Sequence, residues 1–326
     1  MSPKQIFVAL MLGAVLHAGT AVARPLVLAV SRGPVSATVY VAEANGYFAR
    51  EGVEVQTRDC SSGRSCFFSL VDGTADVATA AEVVVTLNRL ALPDVAIIGT
   101  ISTSSHQIKL IARRSAKITE PTQMRGKRVA TVAGTSAQYF LDTWLLFHDI
   151  DPGQLSRIQL APDQLSGALQ RREVDAIAIW EPLASNTLKA LAEDGLILPN
   201  PRVYTQHFAL MTTRRVIGAP HGEDDLVKLL RALLRAQRFI SDEPVAVKQI
   251  LMRRLEIDDA TAQAQLAEHD FRVRLDQSLV STMGNQARWA VREGHLKPQA
   301  KQVSPLLLIE PDLLRVAAPA AVTLVH

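Results

Sequence analysis

Short apolar runs alternate with stretches of helical period along most of this chain, and a glycine, serine or proline marks nearly every change. That alternation constrains the fold more than any other feature, because strand and helix taken in turn build parallel strands joined by right-handed crossovers. Residues 26–30 read as a strand and Gly33-Pro34 as a break, followed by a helix that begins near Ser36 and runs through Val39 and Ala42. Gly46 and Gly52 punctuate its end. Residues 53–56 form a second strand, 61–65 a loop leading into a helix through Leu70, 77–79 a third strand, 82–90 a helix and 95–98 a buried strand. The expected product is a largely parallel sheet covered on both faces.

A second series of the same kind follows Arg113-Arg114. It has a strand at 128–132, a turn Gly134-Thr135-Ser136, a helix over about 137–148 and a strand at 157–160. A helix around 165–171, a strand at 176–179 and a helix after Pro182 complete it, and Pro199, Asn200 and Pro201 mark a break. Beyond a strand at 207–212 come amphipathic helices at 224–239, 244–255, 259–267 and 276–293. Two α/β units of this size do not share one sheet comfortably, and a chain of 326 residues usually divides its core. Segments 105–112 and 204–211 bracket the second unit and read as two crossings. Residues 24–113 with 204–326 then make one discontinuous lobe, and 114–203 an inserted one. A double crossing makes a hinge. Ligand is expected in the cleft, at the carboxyl ends of the strands, where helix N-termini converge.

Residues 1–23 differ from the rest: Lys4, an apolar run from Ile6 to Leu16, then small residues ending Ala21-Val22-Ala23. This is the pattern of a secretory signal peptide cleaved after Ala23. A spanning helix needs about 20 apolar residues, and Gly13, His17, Gly19 and Thr20 interrupt this run. The mature protein is therefore expected to be soluble and outside the cytoplasm. Cys60 and Cys66 would there meet an oxidising compartment, either as a disulfide or as two reduced side chains. With 35 Lys and Arg scattered against 32 Asp and Glu, and 5% aromatic residues, nucleic acid is not an expected partner. The histidines and cysteines show no metal-ligand spacing, so no metal and no other cofactor is expected.

Four stretches carry a family resemblance. The first runs from Val41 to Val55 and contains Gly46-Tyr47-Phe48 and Glu51-Gly52-Val53. The second is Ser62-Gly63 followed by Leu70-Val71-Asp72-Gly73-Thr74-Ala75-Asp76-Val77. The third is Met124-Arg125-Gly126-Lys127-Arg128-Val129-Ala130 with Gly134-Thr135-Ser136. The fourth is Ala168-Leu169, then Val174-Asp175-Ala176 leading to Trp180-Glu181-Pro182. In this order the chain resembles the nitrate, sulfonate and taurine type of ABC-importer substrate-binding proteins, with their pyrimidine-precursor-binding relatives. The resemblance implies the two-lobed periplasmic-binding-protein fold of type II. It also implies a monomer in the periplasm that binds a small molecule, first of all a sulfonate-like organic anion, and presents it to the membrane permease of an importer.

The residues themselves support a clamp. The loop Ser61-Ser62-Gly63 entering a helix presents unpaired N–H groups and hydroxyls, and Gly134-Thr135-Ser136 repeats the device in the other lobe. Two helix N-termini, each with roughly half a positive charge, suit anionic oxygens; the plain alternative is that Ser62 and Ser136 only start their helices. Trp180 is expected at a strand end as a flat apolar wall, or as a core residue. Glu181 either receives a ligand amine or caps the next helix. Glu82, after Ala80-Ala81, is its counterpart in the first lobe or an ordinary first-turn acid, and Ser36 heads the first helix. Arg32, Arg64, His106 and Gln107 lie at the rim or the first crossing, where one could supply charge. The expected binding set is Ser36, Ser62, Gly63, Arg64, Ala81, Glu82, His106, Gly134, Thr135, Ser136, Trp180 and Glu181, with a disulfide possible between Cys60 and Cys66.

No catalytic residue is expected. Two cysteines cannot supply the cysteine-rich iron motif of the pyrimidine synthases that share this fold. A pyrimidine- or thiamine-precursor-binding protein, a same-fold enzyme and a sensory receptor subunit are the alternatives.

Overall fold

A computed structural model describes residues 24–89, 91–92, 94–299 and 303–325. The expected signal peptide lies outside the described residues. Ten strands build two separate sheets: β1 Leu26–Ser31, β2 Val55–Cys60, β3 Val77–Ala81, β4 Val95–Ser104, β5 Ile108–Arg113, β6 Arg128–Thr131, β7 Ser156–Gln159, β8 Ala176–Trp180, β9 Gly195–Ile197 and β10 Gln206–Thr213. The first sheet has the order β2-β1-β3-β10-β4 and the second β7-β6-β8-β5-β9. A small pair, β11 Leu275–Asp276 and β12 Val322–Thr323, stands apart.

The chain passes between the sheets twice, through residues 105–107 and 199–205. The passages hold each other: Asn200 Nδ2 donates to the Ser105 carbonyl at 2.7 Å, and the Ser105 and Thr205 hydroxyls are 2.8 Å apart. The passages are shorter than expected. Segment 108–113 pairs with β8 and β9 and is therefore a strand of the second sheet, so the first boundary falls before 108 rather than after 113.

Both sheets are mixed, which corrects the expectation of a largely parallel sheet. β1, β2 and β3 are parallel, as are β6, β7 and β8, and all point their carboxyl ends at the space between the sheets. The strands that follow the passages, β5 and β10, start at that space and run away from it. They must lie antiparallel to their neighbours, and both do.

β1, β3 and β4 are buried almost throughout, as strands covered on both faces are. Leu28, Val30, Ile97, Ile98 and Leu210 are fully buried, each worth about 1.5–3 kcal/mol of apolar burial. β4 extends past its apolar half because each polar side chain finds a carbonyl. Thr100 donates to Arg274, Ser102 to Val35 and Ser104 to Glu268, all within 2.8 Å. In the second sheet Ile111, Ala130, Leu165, Ile177 and Ile179 form a separate core.

Candidate functional site

The carboxyl ends of both sets of parallel strands open on one gap, partly open to solvent. Its first wall begins where β2 ends. Ser62 is extended, its hydroxyl accepts from Ser65 N–H at 3.1 Å, and its own N–H donates to Ser65 Oγ at 3.1 Å. This reciprocal cap starts the helix Gly63–Val71 and leaves the Gly63 and Arg64 N–H groups, which no helical carbonyl can reach, at the gap. Gly63 is required there, because a Cβ would stand 2.9 Å from the Ala80 Cα at the end of β3. Cys60 and Cys66 are joined in a disulfide across this loop.

The opposite wall begins after β6. Gly134 has a left-handed backbone, φ +67°, and Thr135 is extended at the head of the helix Ser136–Phe147. The Thr135 hydroxyl donates to the Val132 carbonyl at 2.7 Å, and Gly134 N–H donates to Gln138 Oε1 at 2.9 Å. Backbone N–H groups of the first turn remain for an occupant. Arg64 reaches across: its Nε lies 3.4 Å from the place of a Gly134 Cβ, and its guanidinium sits over the Phe68 ring at 5.0 Å. It forms no ion pair among the described residues, whereas Arg32 pairs with Glu256 at 2.8 Å.

Trp180 ends β8 half-buried against the gap. Glu181 is buried. Its carboxylate accepts from Ser185 N–H at 3.0 Å at the start of the next helix and lies 3.4 Å from Gln265 Nε2, and burial pushes its pKa up. Gln107 in the first passage donates through Nε2 to the Glu181 carbonyl at 3.1 Å and faces His269 through Oε1 at 2.9 Å.

The structure thus brings Ser62, Gly63, Arg64, Ala81, Thr135, Ser136, Trp180 and Glu181 to one gap. Four expected residues are not on it. Ser36 is buried and donates to the Ser31 carbonyl at 2.8 Å, behind the end of β1. Glu82 is fully buried behind the wall, where it accepts from Tyr204 OH at 2.6 Å, Gln286 Nε2 at 2.7 Å and His207 N–H at 3.0 Å. His106 sits in the first passage with its N–H on Ser104 Oγ. Gly134 lies beside the gap, giving Arg64 room. Ser31, Val35, Val84, Gln206 and Phe208 line the gap and were absent from the expected set. Ser31, the last residue of β1, had a sequence signal in its strand-end position. Gln206 and Phe208 had only the alternation of β10, which places them on one face.

Among the described residues no three His, Cys, Asp or Glu side chains are grouped to hold a metal ion, and no helix is long and apolar enough to cross a membrane.

The taurine-binding periplasmic protein of Escherichia coli is 25% identical over 214 residues, 64% of this chain; the match spans 65% of that protein's length, just under two thirds. The alkanesulfonate-binding protein SsuA of Xanthomonas axonopodis pv. citri, bound to MOPS, has the same fold. Its TM-score is 0.75 at 15% identity, over 88% of this chain and 98% of that one. The fold also serves chemistry: the desulfurization enzyme DSZB matches with a TM-score of 0.66 at 14% identity, over 90% of this chain and 99% of that one. A family model described as NMT1/THI5 like matches residues 33–247, well over half of the sequence and including both walls of the gap, and the chain belongs to this NMT1/THI5-like family.

Proposed function

We propose that this protein is the periplasmic solute-binding component of an ABC importer, and that it holds a small, sulfonate-like organic anion in the gap by closing its two lobes. The observation that carries the reading is the meeting of two helix N-termini, from different sheets, with an arginine that has no acidic partner among the described residues. Open N–H groups and a guanidinium bind anionic oxygens by charge-assisted hydrogen bonds. Trp180, Val35, Val84 and Phe208 offer apolar surface for a carbon skeleton. The names of the similar binding proteins support the same class of ligand and the same compartment.

Binding without chemistry is favoured over catalysis by how the gap's hydroxyls are used. Ser62 is committed to its helix cap and Thr135 to the Val132 carbonyl, while Ser31 and Ser136 also line the gap but no histidine does among the described residues, so none of these hydroxyls is paired with a histidine base as an activated nucleophile is. The permease partner and the monomeric state belong to this proposal.

A thermal-shift panel of sulfonates, nitrate, carboxylates and thiamine precursors tests it. A sulfonate at 100 times its dissociation constant should add about 2.7 kcal/mol of stability. Arg64→Ala should weaken that ligand about tenfold or more, as expected for loss of a charged hydrogen bond. Stabilisation by none of the panel, or by thiamine precursors alone, overturns the reading.

A further inference from the structure

The hydrogen bonds around Gln138 fix the protonation of a histidine in the other lobe. Gln138 stands in the first turn of the helix Ser136–Phe147 and is 4% exposed. Its Oε1 accepts from the Gly134 N–H at 2.9 Å, and its Nε2 lies 2.9 Å from Nε2 of His295, just past the helix Gln277–Arg292 of the first lobe. A backbone N–H can only donate, so the amide cannot turn over without setting two donors face to face. Gln138 Nε2 therefore donates, and His295 Nε2 must be a bare acceptor, which makes the ring neutral with its proton on Nδ1. A second proton would oppose N–H to N–H and break the link. His295 is exposed to solvent, and histidine is the side chain that changes charge between pH 5 and 8. The charged and titratable groups about this contact are Asp142, Tyr139 and Arg157 of the second lobe and Arg288, Arg292 and Glu293 of the first. Arg157 pairs with Asp142 at 3.2 Å and lies 3.8 Å from Glu293, which Arg292 meets at 3.2 Å, so both acids already have cationic partners.

We propose that Gln138 is a positioning residue that passes the protonation state of His295 to the gap, so that the Gly134 turn is held for the ligand while His295 is neutral and loosened when it is protonated. The inference rests on the anion reading above and adds a control to the same wall. The turn through Gly134 and Thr135 sets where the N–H groups of the following helix point, and it leaves Arg64 its room. Gln138 holds that turn only while both ends of its amide are bonded. When the His295 bond fails, a buried NH2 group is left without an acceptor, and the side chain must give up Gly134 to find one.

Nitrogen NMR of histidine-labelled protein at pH 8, with His295 assigned by its loss in His295→Gln, should show a protonated Nδ1 and a bare Nε2. A protonated Nε2 overturns the proposal whatever the ligand is. Calorimetric titration with ethanesulfonate at pH 8 and pH 5.5 reads the consequence. His295→Gln keeps an acceptor that does not titrate. Relative to it, the unaltered protein should lose a further threefold to tenfold or so in affinity on acidification, about the scale of one hydrogen bond. The comparison cancels the contributions of Glu82, Glu181 and Asp142, whose pKa values burial pushes up. His295→Leu, with no acceptor, should already bind about threefold to tenfold more weakly at pH 8. The same pH dependence in all three proteins overturns the proposal and leaves the anion reading standing. Absence of ethanesulfonate binding counts against the anion reading, and exchange of the Gly134 amide then decides the link: it should be about tenfold faster in His295→Leu than in the unaltered protein at pH 8, and equal rates overturn it.

Discussion

Glu82 shows how one residue can match a sequence expectation by position and depart from it by direction. It follows β3 as expected, but its carboxyl turns inward to Tyr204, His207 N–H and Gln286, tying the first lobe to the second passage. Burial pushes its pKa up to about 7 against three donors that pull it down. A carboxyl whose folded pKa exceeds its unfolded value favours the native state most at low pH, and that contribution is lost as pH rises from about 4.5 to about 7. His207 and His269, both lowered to about 4 by burial, act oppositely: their contribution is present above about 6.5 and lost as pH falls toward 4. The net pH dependence therefore mixes two signs, and Glu82→Gln isolates one. Relative to the unaltered protein, the variant should gain stability by about 1–3 kcal/mol between pH 5 and pH 7.5, since one pKa unit is about 1.4 kcal/mol. Urea unfolding at the two pH values measures this, and an unchanged difference would remove the assigned shift. Ser36 shares Glu82's lesson, because spacing locates a helix start without telling which side of the wall its side chain faces.

At the scale of elements, the strand-helix alternation was legible wherever the residues are apolar or punctuated. Helices at 244–255 and 259–267 fall where the periodicity puts them. Two kinds of element were hidden. β5 is short and sits beside a passage, so nothing in its own residues says which sheet it joins. The polar end of β4 is held by side-chain bonds to Arg274, Val35 and Glu268, which are remote in sequence. The helix start at Gly63 was the most legible part of the candidate site, since a serine cap, a glycine and two flanking cysteines are all local signals. Its disulfide spans six positions of sequence, so the chain-entropy account gives it about 2 kcal/mol of stability. Replacing Cys60 and Cys66 together by serine should lower unfolding free energy by roughly that amount. It should also weaken the ligand several-fold, because the loop must then be ordered on binding. Unaltered affinity in a destabilised double variant would show that the bond secures the fold and not the site.

At the scale of the molecule, side-chain contacts join the two lobes at several places. Lys109 pairs with Glu268 at 2.6 Å, Gln107 meets His269, and the Glu181 carboxylate lies 3.4 Å from Gln265. All three link the second sheet or the first passage to residues 265–269 of the other lobe, and the helix Ser136–Phe147 is tied to that lobe as well, through Trp289 Nε1 donating to Asp142 at 3.0 Å and Gln138 Nε2 lying 2.9 Å from His295 Nε2. Arg64 faces Gly134 beside the gap, where a Cβ on residue 134 would stand 3.4 Å from the Arg64 Nε. On the proposed reading, ligand contacts are completed only when these two approach, and ligand shifts the population toward the shut form. X-ray scattering should then record a smaller radius of gyration at saturating ligand. Gly134→Val interferes at the same place: its branched side chain would occupy the space Arg64 uses. Its left-handed backbone costs about 1–2 kcal/mol for a residue with a Cβ. The variant should stay folded yet bind weakly and show no ligand-dependent contraction. A radius that never responds to a tightly bound ligand would mean that the gap is preformed, and binding would then owe its selectivity to the fixed spacing of its two helix starts.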